Sequence, residues 1–221
     1  MFKVIYGIES FSDADLDLML PYLTHQRRDK VLDYRFLADR ISSACAFLAL
    51  RLCLFEAGNQ KASCVFNFTP EGKPYFSELP DLHFSISHDR KGVCAAISDG
   101  PIGVDIQNII TATTPLADYV FSANEKSAFY SQQNKDEWFT KLWVMKESFG
   151  KKLGIGVFEI TKQTDFSNVK LDDIEYTDPP QIYTMGGIND LIYGVCSHKK
   201  ETIHSLSAKE FLDKIKLLPK Y

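Results

Sequence analysis

Residues 138–151 read Trp-Phe-Thr-Lys-Leu-Trp-Val-Met-Lys-Glu-Ser-Phe-Gly-Lys, a helical pattern carrying more charge than a plain surface helix needs. Trp143, Lys146, Glu147 and Lys151 recur at the three- and four-residue spacing that sets side chains on one helical face. Trp138, Leu142, Met145 and Phe149 form an apolar stripe beside them. A carboxylate flanked by two ammonium groups and an indole has the parts of a metal ligand, a general base and a phosphate clamp. The same residues also suit a half-buried helix in which Glu147 and Lys151 form an ordinary salt bridge, worth about 0.3–0.5 kcal/mol. The stretch taken alone leaves both readings open.

Working outward, 221 residues with 45% hydrophobic content can bury one large core or two small ones. The longest apolar runs, such as Ala44 to Leu50, are broken by Arg51 and Glu56 before reaching the ~20 residues of a membrane span. Met1 to Tyr6 looks like an opening strand rather than a secretory signal, so a cytoplasmic location is expected. Cys45, Cys53, Cys64, Cys94 and Cys196 show no CxxC spacing and sit among apolar neighbours, as small buried hydrophobes do. A net charge of −4 argues against bulk electrostatic attachment to nucleic acid and leaves room only for a local basic site.

Along the chain, Ser12-Asp13-Ala14-Asp15 has the form of a capping box before a helix that Pro21 ends or bends, and Ile41, Cys45, Leu48, Leu52 and Phe55 define a helix stopped by Gly58. The mixed-charge run between them, with Arg27, Arg28, Lys30 and Arg35, reads as a solvated face. Short antiparallel strands are expected at 62–68, 73–76, 84–87 and 93–98, then one at Ile102 to Gln107 that buries Ile102, Val104 and Ile106 and turns Asp105 and Gln107 to the other face. Helices are expected at 116–120 and 124–132, strands at 157–160, 182–185 and 191–196, and a docked helix at 207–218. Gly92-Val93-Cys94 and Gly194-Val195-Cys196 give a faint echo about 100 residues apart, as two similar α+β halves would.

Three stretches now read together: Phe84-Ser85-Ile86-Ser87-His88, Gly103-Val104-Asp105-Ile106-Gln107 and Trp143-Val144-Met145-Lys146-Glu147-Ser148. In this order, with Gly72-Lys73-Pro74 before them and Phe121-Ser122-Ala123-Asn124-Glu125 between, they resemble the 4′-phosphopantetheinyl transferases of the surfactin-synthetase-activating (Sfp) type. That resemblance implies an α+β fold of two pseudo-symmetric halves, about residues 1–103 and 104–221, in a monomer that binds coenzyme A in the cleft between them. It implies transfer of the phosphopantetheine arm of coenzyme A to a serine of an apo acyl or peptidyl carrier protein, in fatty-acid, polyketide or nonribosomal-peptide synthesis.

The resemblance also implies roles. Asp105 and Glu147 would hold Mg²⁺, or Mn²⁺, with the pyrophosphate, and Glu147 would accept the serine proton. Lys151 and Lys146 would lie near the phosphates, Arg40 and His88 near the 3′-phosphate, Lys73 near the pyrophosphate or nucleotide, and Ser87 would also contact coenzyme A. The nearly uncharged segment 108–121 would meet the carrier. Where close relatives place a second carboxylate, this chain has Gln107, whose amide oxygen can ligate a metal without adding charge; Gln107→Glu is then expected to raise magnesium affinity. The rival readings are a coenzyme A or nucleotide-binding module that has lost transfer, and a scaffold whose motifs merely pack.

Overall fold

In strands that bury both faces, consecutive side chains supply two different cores. Ile5, Val93, Ala95 and Ile97 face one apolar cluster and Val4, Cys94 and Ala96 face another. The computed structural model describes residues 1–59, 64–160 and 164–221. Strand β1 (Phe2–Tyr6) leads through α1 (Asp13–Met19) and α2 (His25–Asp33) into the long α3 (Leu37–Glu56). The short β2 (Phe66–Phe68) and β3 (Pro74–Phe76) and the hairpin of β4 (His83–His88) with β5 (Gly92–Ser98) follow. The next strand, β6 (Gly103–Asn108), leads through α4 (Thr114–Val120) and α5 (Ala123–Ser131) into the long α6 (Lys135–Leu153) and the short α7 (Val157–Ile160). The remaining elements are β7 (Glu175–Asp178), β8 (Gln181–Ile188), β9 (Leu191–Ser197), β10 (Ile203–Ser207) and α8 (Ala208–Ile215).

One sheet runs β10-β1-β5-β4 and another β6-β9-β8-β7. In each, an opening strand pairs antiparallel with the second strand of a later hairpin. The two echoing Gly-Val-Cys triplets lie in β5 and β9, each of which pairs with the opening strand on one side and its hairpin partner on the other. This is an α+β fold. Phe2, Val4, Cys94 and Ala96 of the first sheet pack on Ile102, Val104, Ile106 and Val195 of the second, so the sheets are stacked. Most of α3 is buried on the far side of the first sheet with Phe47, Phe84 and Phe211, and α6 covers the far side of the second with Trp138, Phe139 and Tyr183. β10 pairs parallel with β1, which returns residues 203–207 and α8 to the first sheet.

The capping box at Ser12 forms, and a 3-10 turn at Leu20–Tyr22 carrying Pro21 follows α1. The five cysteines are free thiols in buried positions. Three differences from the sequence expectations have physical causes. The run 157–160 is helical: a four-residue run with three apolar side chains is too short to distinguish a strand from a helical turn, and here Glu159 N donates to Gly156 O as the segment folds back on α6. The charged run between α1 and α3 forms α2, started by Thr24, whose hydroxyl accepts from Arg27 N, and anchored by the buried Val31. The strand expected at 62–68 begins at Phe66, residues 62–63 lying outside the described residues.

Candidate active site

β4 and β6 are edge strands of the two sheets and meet side by side. Side chains join them: Val104 N donates to Ser85 Oγ at 3.0 Å, and Ser87 Oγ donates to Asp105 Oδ1 at 2.7 Å. With period 2, Val104 and Ile106 point to the first sheet while Gly103 and Asp105 point to α6. The absence of a side chain at Gly103 lets the strand lie against the helix, where a Cβ would come within 1.9 Å of Ser148 O. That approach lets Lys151 Nζ donate to Asp105 Oδ1 at 2.6 Å and to Ser87 Oγ at 2.8 Å.

Asp105 is 4% exposed, and its Oδ2 is buried with no hydrogen-bond partner among the described residues. Glu147, half-buried one helical turn before Lys151, accepts no hydrogen bond among the described residues either. Burial holds its carboxyl above the usual range, with Asp105 adding to the rise and Lys151 opposing it. Burial works against the charge of Lys151, yet Asp105 beside it keeps the ammonium above its ordinary value. The face thus carries two carboxylates with free oxygens and one fixed cation.

A cavity of about 360 Å³ opens beside it, lined among others by Lys73, Pro74, Ser85, Ile86, Lys151 and Gly156. Lys73 Nζ donates to Lys152 O at 2.5 Å, and burial, with the charge of Lys152, lowers its pKa to about 8. His88 stands exposed at the end of β4, its imidazole held below the usual range by desolvation and then by Lys151. Lys30 of α2 also lies close enough to disfavour its proton.

Asp105 and Ser87 therefore gather on Lys151, with Glu147 one helical turn before it on α6; of these Lys151 lines the cleft, together with Lys73, and His88 stands at the end of β4. Arg40 sits in the first turn of α3 with Nε on Tyr34 O at 2.8 Å, and no hydrogen bond joins it to His88 among the described residues; α3 reaches that strand end through Ser42 Oγ, 3.3 Å from Asp89 O. Lys146 is not brought to the cleft. It is fully buried, paired with the fully buried Glu125 at 2.9 Å and close to Thr164 Oγ1. Successive helical positions diverge by about 100°, so Lys146 cannot share the face of Glu147. Gln107 donates through Nε2 to Asp89 Oδ2 at 2.6 Å.

Sequence reasoning missed Ser85, Asp89 and Gly103. An isolated glycine in a strand pattern signals close backbone approach, so Gly103 was within reach. Nothing in the linear sequence pairs Asp89 with Gln107.

The cation such a site implies can be tested against its donors. Among the described residues no three His, Cys, Asp or Glu side chains converge. Magnesium, however, takes one or two protein carboxylates and completes its shell with water and substrate phosphates. The unpartnered Oδ2 of Asp105 and the free carboxylate of Glu147 fit that need.

Together the strand-edge carboxylate, the helical Glu-x-x-x-Lys and the adjoining cleft have the chemistry to hold a cation and a phosphate group. The family model for the 4′-phosphopantetheinyl transferase superfamily matches residues 101–199, which include β6 and α6. A 4′-phosphopantetheinyl transferase of Bacillus subtilis is 30% identical over 175 residues, 76% of this chain and 77% of its own. The transferase ffp of Bacillus subtilis is 33% identical over 69% of this chain and 71% of its own, and Sfp of Bacillus subtilis strain 168 is 30% identical over the same shares. The chain belongs to the 4′-phosphopantetheinyl transferase superfamily and is an enzyme of the Sfp type. Among the described residues no helix is long and apolar enough to cross a membrane.

Proposed function

We propose that this enzyme moves the 4′-phosphopantetheine of coenzyme A to the serine of an apo acyl or peptidyl carrier protein, with magnesium, or manganese, as cofactor. The observation that carries the reading is the pair of carboxylates, Asp105 with a buried unpartnered oxygen and bound to Lys151, and Glu147 with none engaged one helical turn before Lys151, which itself lines the adjoining cleft. The carrier serine oxygen forms a bond to the phosphorus bearing pantetheine, the phosphoanhydride bridge breaks, and adenosine 3′,5′-bisphosphate leaves. Glu147 takes the serine proton, a task suited to a carboxylate whose basicity burial has raised. Lys151 holds the phosphates and is itself held by its bond to Asp105. Asp105 and Glu147 would hold the magnesium, which, when bound, neutralises the pyrophosphate.

In the same proposal the chain works in the cytoplasm as a monomer of two halves, residues 1–103 and 104–221, the last strand and helix of the second packing on the first. Lys73 reaches the pyrophosphate or nucleotide, His88 and Arg40 serve the 3′-phosphate end, and Ser87 also contacts coenzyme A. The carrier docks along residues 108–121, where Ile109 and Tyr119 are exposed, so its turnover varies little with salt. A thermal-shift titration tests the binding half of this reading. Coenzyme A is expected to raise the melting temperature, more so with Mg²⁺; no shift in either condition would overturn it.

A further inference from the structure

Gln107 is the one place where the cation face lacks an expected charge, and the structure shows what the amide does instead. Its Nε2 donates to Asp89 Oδ2 at 2.6 Å. An ionised carboxylate only accepts, so this contact fixes which end of the amide faces Asp89 and leaves Oε1 free. Asp89 also accepts from Asn108 N at 3.0 Å through the same oxygen, and from Asn108 Nδ2 and Arg90 N through the other. One carboxylate in the turn after His88 thereby grips the strand that carries Asp105 and Gln107. Its backbone is held separately, Asp89 N donating to Gly92 O at 2.8 Å, so the turn does not depend on the side chain.

We propose that Asp89 is a positioning residue for the cation site: it holds Gln107 by the amide nitrogen and presents the amide oxygen as a neutral third donor beside Asp105 and Glu147. The negative charge missing at position 107 stands one shell further out, at position 89. A carboxylate at 107 would face Asp89 where a donor now stands. Gln107→Glu therefore lowers the stability of the metal-free protein, and the simple gain in magnesium affinity expected from charge alone does not describe this site. Outer-shell partners that orient a ligand typically change metal affinity about 10–100-fold when removed, and a neutral amide donor belongs at the low end.

The inference rests on the cation-site reading, and the test separates the two. Mn²⁺ is titrated into the full-length protein with coenzyme A and no carrier, and its dissociation constant is read by electron paramagnetic resonance. The four proteins compared are the wild type, Asp89→Ala, Gln107→Ala and the double variant, with Asp89→Asn, which keeps one acceptor oxygen, as the conservative rescue. Asp89→Ala is expected to weaken Mn²⁺ binding roughly tenfold in the wild-type background. It should have little effect once Gln107 is alanine, for no amide remains to orient. Asp89→Asn should recover part of the loss. A wild type that binds no Mn²⁺ overturns the cation-site reading. A wild type that binds it, with Asp89→Ala costing the same in both backgrounds, overturns the positioning role alone.

Discussion

Gly103→Ala is the smallest change that should dismantle the site. A Cβ on Gly103 lies 1.9 Å from Ser148 O and 2.3 Å from Lys152 N, both backbone atoms of α6. Ordinary contact begins at 3.4 Å, so strand and helix must part by about 1.5 Å. Neither neighbour is the end of a flexible side chain, and the helix is buried nearly all round, so relaxation must move main chain. Overpacking of this kind costs about 1–3 kcal/mol, a fall of several degrees in melting temperature for a chain of this size. Asp105 is two residues further along the strand, and its 2.6 Å contact with Lys151 spans the gap that opens. A misplacement of about 1 Å in a reacting constellation can cost roughly 10²-fold in rate. The assay is kcat/KM for carrier conversion at saturating magnesium, read beside thermal unfolding. Gly187→Ala, whose nearest neighbour would be 3.4 Å away, serves as the control. Gly103→Ala with activity within about threefold of wild type and an unchanged melting temperature would refute the claim that this close approach assembles the site.

Lys73 has a folded-state pKa near 8, below its ordinary 10.5, so between those values the folded chain binds fewer protons than the unfolded one. The stability penalty is full below about pH 8 and fades as pH rises toward 10.5, a slope that Lys73→Met should remove; coenzyme A phosphates should restore the proton, so binding at about pH 9 should take up protons in wild type and not in the variant, measured by calorimetry in buffers of different ionisation heat. Removing one partner of a buried ion pair costs about 3–5 kcal/mol, so Lys146→Met should lower the melting temperature sharply. Lys146→Met with Glu125→Gln should recover part of that loss, and coenzyme A affinity should be unchanged in both; a specific loss of affinity would return Lys146 to the cleft.

The long helices were legible because their apolar periodicity persists over many turns, and β6 because Ile102, Val104 and Ile106 alternate with Gly103, Asp105 and Gln107. α2 was hidden because its charged surface resembles a loop and its anchor is the single buried Val31. β7 and β10 were not anticipated: β7 has the burial pattern of a mostly exposed edge strand, and β10 exists by pairing with β1 some 200 residues away. At the site, motif order singled out Asp105 and Lys151, which the fold brings into contact, and Glu147 one helical turn before Lys151. It misdirected Lys146, because adjacency in sequence is divergence on a helix. It left Gln107 unexplained, because the partner its amide binds, Asp89, comes from the turn between β4 and β5.

The central claim is that Glu147 removes the proton of the carrier serine while Asp105 and Lys151 hold the phosphates, and intact-mass spectrometry of apo carrier incubated with coenzyme A and excess Mg²⁺ tests it most directly. Wild type should convert the carrier to its phosphopantetheinylated form with release of adenosine 3′,5′-bisphosphate. Glu147→Gln, still able to offer an oxygen to the ion, should lower the rate by about 10²–10⁴-fold at any magnesium concentration, the usual worth of a positioned base. Full conversion at wild-type rate by Glu147→Gln would contradict the account.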